Sequence, residues 1–489
     1  MSADRRDAKG RQRGAARARG ARNQSQQAPG QRRRTGDPAR NAAYDVLRQV
    51  ADSDAYANLV LPPLLRERGI VGRDAAFATE LAYGTLRMLG RYDAVLAQCV
   101  DRPLDRVDPA VLDVLRLGAH QVLGMRVATH AAVSETVAVT RERVGAGPAQ
   151  FVNAVLRKVS ARPLDQWLEV LASQAPDGLA RLAVTQSHPA WIARALREAL
   201  VASGRSASEL GDLLAADNEA PRVTLVARPG LSAVADLNGA EPGRWATTAA
   251  VLQGSDPGAL EAVRDGTAGV QDEGSQLVTL ALAGAVVDGP DERWLDMCAG
   301  PGGKAALLGA IAAERGARVV ANESQEHRTE LVRRSMKAVP RAAVESIRTG
   351  DGRDIGTDEP AAYDRVLLDA PCTGLGALRR RPESRWRRTP SDLGTLTALQ
   401  RELLDSALDA VRPGGVVGYV TCSPHIAETQ VVVDDVLRRR ADVERLDAAE
   451  AVRAVATTEI PLTDRTDVQL WPHVHGTDAM HLTLLRRRA

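Results

Sequence analysis

Arg293-Trp294-Leu295-Asp296-Met297-Cys298-Ala299-Gly300-Pro301-Gly302-Gly303-Lys304 joins an apolar run to a helical one through glycines. Its first five residues have the character of a buried strand, followed by a glycine-rich turn and the opening of a helix over 304–315. Gly316 ends that helix, and a strand over 318–323 delivers Glu323 twenty residues after Gly303. The same rhythm continues on both sides. A helix is expected over 272–285, a helix over 325–338, strands over 346–350 and 364–369, a helix over 391–411 and a strand over 415–421. Strands alternating with helices imply a mostly parallel sheet covered on both faces. In such a sheet ligands sit beyond the carboxyl ends of the strands, where the polar motifs of this half of the chain fall.

The turn at 298–304 lets backbone approach a ligand closely, and the helix behind it favours an anionic group. It lacks the Gly-x-x-x-x-Gly-Lys-Ser/Thr of a phosphate loop and the Gly-x-Gly-x-x-Gly of a dinucleotide site. Glu323 stands where a ribose diol is held in related sheets. Asp351, in Thr349-Gly350-Asp351-Gly352, is placed to meet a purine edge. A nucleoside without phosphates but with a carboxylate fits this set, and S-adenosyl-L-methionine is such a molecule.

Two cysteines lie fifty residues apart, Cys372 in Asp369-Ala370-Pro371-Cys372-Thr373-Gly374 and Cys422 in Thr421-Cys422-Ser423-Pro424. Each follows a predicted strand, on the same side of the sheet as the glycine turn. The C5 carbon of a pyrimidine is a poor nucleophile toward a methyl sulfonium. A thiolate added at C6 makes C5 enamine-like and able to attack the methyl group. The adduct must then lose its C5 proton and expel the thiolate, which needs a base. A carboxyl group at Asp369 can hydrogen-bond at N3 and favour the addition. The residues themselves do not say which thiol attacks. Cys99 reads as a core residue of an amphipathic helix, and Cys298 as packing under the turn while its backbone touches the ligand.

Upstream the character is different. Residues 37–160 carry helical periodicity, with amphipathic runs at about 74–89, 91–100, 109–125, 131–144 and 148–159. They read as an all-α bundle. A helical stretch and a small mixed connector over 161–268 lead into the α/β domain at 269–489. Residues 1–36 hold eleven Lys/Arg against two acidic residues, leaving the rest of the chain net acidic. That segment is expected to be disordered, either an arm for a polyanion such as RNA or a solvated tail. Arginine outnumbers lysine sixty to four across the chain, so arginine abundance alone says little about nucleic acid.

At 489 residues and 52.1 kDa, two to four domains are expected. No long apolar run suggests a membrane span, and the polar N-terminus lacks a signal-peptide core, so a cytoplasmic protein is expected. Four scattered cysteines argue against a disulfide framework. No Cys-x-x-Cys pair or histidine cluster suggests a metal.

The set Asp-x-Cys-Ala-Gly-Pro-Gly-Gly-Lys, Asp-Ala-Pro-Cys-Thr-Gly-Leu-Gly and Thr-Cys-Ser-Pro resembles the bacterial ribosomal small-subunit RNA cytosine-C5 methyltransferases, the Sun or Fmu family. Leu378-Arg379-Arg380-Arg381-Pro382-Glu383-Ser384-Arg385-Trp386, Leu399-Gln400 and Val270-Gln271-Asp272-Glu273-Gly274-Ser275-Gln276 are similar to it too. Residues 37–160 resemble the NusB-like RNA-binding domain of one branch. The segments that carry this are Arg73-Asp74-Ala75-Ala76-Phe77, Glu80-Leu81-Ala82-Tyr83-Gly84-Thr85-Leu86-Arg87 and Phe151-Val152-Asn153-Ala154-Val155-Leu156-Arg157.

The resemblance implies a NusB-like bundle followed by a Rossmann-like class I methyltransferase domain. It implies methyl transfer from S-adenosylmethionine to a cytosine C5 in 16S ribosomal RNA. In the family the Thr-Cys-Ser cysteine attacks, here Cys422, and the Pro-Cys cysteine, here Cys372, assists release; DNA cytosine methyltransferases attack with the latter. Cys298, Ala299, Gly300, Pro301, Gly302, Gly303, Lys304, Glu323, Asp351 and Asp369 would line the cofactor or target pocket, with Lys304 close to Asp369. Ala305 replaces a common Ser or Thr, Glu323 stands where Asp is common, and Gly476-Thr477-Asp478-Ala479-Met480-His481 lacks the usual aromatic after the Asp.

Six arginines at 379, 380, 381, 385, 387 and 388, with Trp386 among them, are expected to hold RNA phosphates and a stacked base, or to form a charged exposed loop. A monomer that binds ribosomal RNA and needs no metal is expected. A transfer-RNA methyltransferase shares all of the chemistry. An RNA-binding antitermination factor would be the reading if the catalytic half were silent.

Overall fold

The computed structural model describes residues 36–53, 55–254 and 256–488. The expected basic tail therefore lies outside the described residues, save for Gly36. Among the described residues no helix is long and apolar enough to cross a membrane.

The N-terminal part is all helical. Helices Pro38–Ser53, Gly72–Arg87, Pro109–Leu123, Thr129–Val139 and Ala149–Val159 contribute to one core. Helix Pro109–Leu123 shows why they form. Asp108 caps it by accepting from the backbone N–H groups of Ala110 and Val111, Pro109 occupies the first turn, and Val111, Val114 and Leu115 turn inward. Trp167 and Leu171 of helix Leu164–Gln174 pack into the same core. Helices Ala190–Ala202 and Leu210–Ala216 form another, in which Ile192, Leu196, Leu213 and Leu214 meet Leu375, Leu378 and Trp471 from the α/β half. The two halves thus share a hydrophobic core.

A small antiparallel sheet links them, formed by β1 (Thr224–Ala227), β2 (Ala240–Pro242), β3 (Ala249–Leu252) and β4 (Ala268–Val270) in the order β2-β3-β1-β4. The main sheet contains β5 (Arg293–Asp296), β6 (Arg318–Glu323), β7 (Val344–Thr349), β8 (Tyr363–Asp369), β9 (Val411–Thr421), β10 (Val443–Leu446), β11 (Val468–Gln469) and β12 (His481–Arg487). Its order is β10-β12-β9-β8-β5-β6-β7, with β11 paired to β12. Strands β5 to β9 pair in parallel, as the strand–helix alternation predicts. The antiparallel edge made by β10 and β12 is not foreseen by that rhythm.

The strand order reverses between β5 and β8, so the crevice at their carboxyl ends is the topological switch point where ligands bind. The glycine turn, Asp369 and Cys422 all stand at this edge. Behind it, Trp294, Leu307 and Leu308 lie in one core layer, and Leu295, Tyr363 and Leu404 in the layer on the other face.

Candidate active site

Strand β8 ends at Asp369, and the chain turns through Pro371 to Cys372. Strand β9 ends at Thr421 and leads directly to Cys422. The two Sγ atoms meet at 3.4 Å. Glu428 holds the two turns together. Its buried carboxylate accepts from the backbone N–H of Thr373 at 2.7 Å, from Ser423 Oγ at 2.6 Å and from Gln400 Nε2 at 3.2 Å. Gln400 also donates to the Pro371 carbonyl at 2.8 Å. The backbone N–H of Gly376 donates to the Cys422 carbonyl at 2.8 Å. A Cβ on Gly376 would come within 2.3 Å of the Ala479 carbonyl oxygen, so only glycine allows this approach.

The thiols are electrostatically unlike. Cys372 donates toward Cys422, which lowers the Cys422 thiol against its burial, and Lys304 and Arg381 lower it further. The same hydrogen bond and burial push the Cys372 thiol well up, and Glu428 and Asp369 add to this. Of the two, Cys422 is the thiol that ionises more readily. Burial, then the charges of Asp296 and Asp369, push the Cys298 thiol well above its ordinary range, and its side chain packs against the core as a neutral group.

Lys304, in the first turn of helix Gly303–Arg315, donates from Nζ to Asp369 Oδ2 at 2.7 Å. Although burial opposes its charge, the Asp369 carboxylate keeps the ammonium above its ordinary range. Asp296, at the end of β5, was not singled out from sequence. It is buried, its oxygens find no side-chain partner, and burial followed by repulsion from Asp369 pushes its carboxyl up to about 8.

The glycine turn rests on β6. Glu323 accepts from the backbone N–H of Gly300 at 3.0 Å, and Arg328 donates to the Gly300 carbonyl at 2.7 Å. A Cβ on Gly300 would come within 2.2 Å of Glu323 Oε2. Gly302 lies at φ +105°, which glycine adopts without strain. Gly303, by contrast, faces nothing nearer than the Gln271 amide at 3.8 Å, and both polar atoms of that buried amide lack partners. Open space at a helix N-terminus, an unpartnered amide and a carboxylate beside the turn fit a nucleoside carrying a carboxylate and an amine. Asp351 stands beside this cradle, next to Gly350, whose N–H bonds the Glu323 carbonyl at 3.1 Å. Its carboxylate is paired with Arg353 at 2.6 Å on the exposed side of the turn.

The arginine run departs most from expectation. Arg380 bridges Asp272 at 2.6 Å and Asp478 at 3.1 Å, and Arg379 donates to the Gly476 carbonyl at 3.0 Å. Arg385 is fully buried and donates to the carbonyls of Arg87, Ser187 and Asp217 and to Asn218 Oδ1, at 2.7–3.2 Å. Arg387 donates to the carbonyls of Val50 and Ala55, both at 2.6 Å. Trp386 lies against Gly90, where a Cβ would come within 2.1 Å of its ring. Arg385, Trp386 and Arg387 therefore clamp the two halves of the chain together, Arg379 and Arg380 are engaged within the α/β half, and most of the run is not an RNA surface. Unpaired carbonyls at helix ends and turns supply what phosphates were expected to supply. Among the described residues no cluster of His, Cys, Asp and Glu could hold a metal ion.

A helical bundle joined to an open α/β sheet, with a glycine turn and paired thiols at its switch point, defines a NusB-like domain fused to a class I methyltransferase domain. Residues 285–486 match the family described as 16S rRNA methyltransferase RsmB/F, and residues 37–161 match the NusB family. A putative methyltransferase of Mycobacterium tuberculosis is 51% identical over 94% of this chain and 98% of its own. The ribosomal RNA small subunit methyltransferase B of Escherichia coli is 30% identical over 83% of this chain and 91% of its own. The crystal structure of PH0851 shares the fold with a TM-score of 0.74 at 20% identity, covering 92% of this chain and 98% of that one. The chain belongs to the RsmB/F methyltransferase family, and that membership implies use of S-adenosylmethionine.

Proposed function

We propose that this protein methylates C5 of one cytosine in 16S ribosomal RNA through a covalent adduct with Cys422. The observation that carries the reading is the thiol pair, 3.4 Å apart, standing beside the Lys304–Asp369 ion pair at the switch point of the sheet. Bound in the cradle of Gly300, Gly303, Glu323 and Asp351, S-adenosylmethionine supplies an electrophilic methyl group. The protein's part is to make the cytosine a nucleophile.

Cys422, held as thiolate by the Cys372 hydrogen bond and the nearby Lys304 and Arg381 charges, adds to C6 of the flipped base. The electron pair moves through C5 to N3, which takes a proton relayed from the Lys304 ammonium through Asp369, and the adduct is a neutral enamine. C5 then takes the methyl group. Loss of the C5 proton to a base restores the double bond and expels the Cys422 thiolate, and N3 returns its proton to the Lys304–Asp369 pair. Cys372 returns its hydrogen bond to the departing sulfur, which makes it the release group. The relatives named for ribosomal RNA small subunit methylation support the choice of substrate, as does the NusB-like domain.

Bisulfite sequencing of ribosomal and transfer RNA, from cells with and without the gene, tests the proposal. Loss of one small-subunit cytosine mark is expected. A mark lost only from transfer RNA overturns the substrate, and unchanged RNA overturns the reaction.

A further inference from the structure

Four of the six arginines at 379–388 are bound to carboxylates or carbonyls; Arg381 is different. It is exposed and makes no ion pair within 4 Å among the described residues, though its charge is felt by Glu383 two residues on. Its position is set from both halves of the chain. Its backbone N–H bonds the Ala377 carbonyl at 2.9 Å, and the neighbouring Gly376 bonds the carbonyl of Cys422 at 2.8 Å. Arg381 therefore rises from the turn fastened to the attacking residue itself. Its guanidinium lies over the ring of Tyr56, 4.8 Å from the centroid.

Tyr56 belongs to the helical domain, where it precedes helix Ala57–Glu67. The first N–H of that helix donates to Glu383 at 3.1 Å, so ring and guanidinium are anchored two residues apart on the catalytic side. Arg387 packs at 5.5 Å from the same ring and keeps it in place. A guanidinium stacked by one face on an aromatic ring keeps its edge N–H groups free in a fixed fork, the geometry that suits a phosphate.

We propose that Arg381, stacked on Tyr56, is a positioning residue that binds an RNA backbone phosphate beside the target nucleotide and so seats the flipped cytosine against Cys422. This rests on the RNA methylation reading above. It gives the NusB-like domain a place at the mouth of the catalytic cleft in addition to any RNA contact on its outer surface. A base that leaves its stack swings on its own backbone, so a fixed phosphate beside it sets where C6 arrives. The Arg381 charge also lowers the Cys422 thiol, which ties substrate seating to nucleophile activation.

The test is binding of the full-length protein to an unmodified small-subunit ribosomal RNA transcript, without cofactor, across a salt series. Arg381→Gln is expected to weaken binding roughly tenfold, the size of one charge-assisted hydrogen bond. It should also reduce the slope of log Kd against log salt by about 0.7, one single-strand phosphate contact. Tyr56→Leu should reproduce part of that loss and Tyr56→Phe none of it. The double variant R381Q/Y56L should be no worse than R381Q, because the two side chains act as one unit. Thermal unfolding of each variant checks that it folds, and Arg381→Lys should keep the salt slope while losing affinity.

An unchanged Kd and slope in R381Q overturns the proposal. So does a shift of the acid limb of the methyl-transfer pH profile with binding unchanged, since Arg381 would then act on the thiol alone. A wild-type protein that binds with an Arg381-dependent slope yet methylates no cytosine supports the phosphate contact and overturns the reaction proposed above.

Discussion

Cys372 and Cys422, on turns that follow neighbouring parallel strands, stand 3.4 Å apart because the buried carboxylate of Glu428 binds both turns at once. The relationship makes the thiols a pair with divided labour, and each half can be tested alone. Cys422→Ala should abolish methyl transfer and leave cofactor affinity within about twofold, because no ligand-facing backbone changes. Cys372→Ala should let the protein–RNA adduct accumulate as a slow band on a denaturing gel. Normal turnover by the first variant, or an adduct-free second one, would show the roles to be exchanged or absent.

Glu428→Ala strips one acceptor from several buried donors. Hydrogen bonds to a charged group are worth about 1.5–3 kcal/mol each, and a destabilisation near 3 kcal/mol is expected after local relaxation. Glu428→Gln should unfold at nearly the wild-type temperature while losing activity, because an amide has a single acceptor oxygen and turns an N–H2 toward the other set of donors. Denaturant unfolding and single-turnover methyl transfer measure the two effects separately.

Lys304→Met removes the cation that is paired with Asp369 and that acts on the Cys422 thiol. The Cys422 thiol should titrate higher, moving the acid limb of the rate profile to higher pH, with a rate loss of about 10²-fold or more at neutral pH. A profile that keeps its limb in this variant would show that Lys304 serves Asp369 alone.

Asp296 couples stability to pH. Its folded-state carboxyl titrates at about 8, above the unfolded value near 3.9. The folded state therefore binds the proton more tightly than the unfolded state does. The associated stability is full below the unfolded value and falls as pH rises from there through the folded one, by at most about 1.4 kcal/mol per pH unit. Asp296→Asn should flatten that decline, so the variant gains on the wild-type protein between pH 4.5 and pH 8. Parallel stability curves would rule out a neutral Asp296.

Arg385→Ala deletes the fully buried guanidinium that gathers carbonyls from the helical domain and the linker. Each of those acceptors is left buried, at about 1–3 kcal/mol apiece. Calorimetry should show one unfolding event for the wild-type protein and two for the variant, since fewer bonds then hold the halves together. One unsplit transition at the wild-type temperature would contradict the clamp.

Local signals carried much of the α/β half. Strand β6, read at 318–323, is found at Arg318–Glu323, and the helix read at 391–411 runs Asp392–Ala410. The antiparallel β12 was not foreseen, because pairing between β9 and β10 is a tertiary event and its sequence carries no turn signal that names a partner. Glu428 belongs to no motif; only the meeting of two distant turns gives its carboxylate a task. Asp296 sits in a quoted motif, but its raised carboxyl depends on burial and on Asp369, neither visible along the chain. The arginine run misled for the converse reason. A guanidinium is recognised by acceptors of any kind, and sequence does not distinguish a phosphate in solution from a carbonyl in a neighbouring domain.

The seating of Arg385 has a practical consequence for dissection of the molecule. A fragment cut ahead of residue 269 would carry this arginine with no carbonyls to receive it, and the 378–388 segment would lose the Tyr56 ring that aims Arg381. Such a truncated enzyme would report the chemistry of a cleft with one wall missing. Inhibitors ranked on it would be ranked against the wrong shape, whereas the seam between the halves offers a contour that other methyltransferases built on the same sheet, but lacking the helical partner, do not possess.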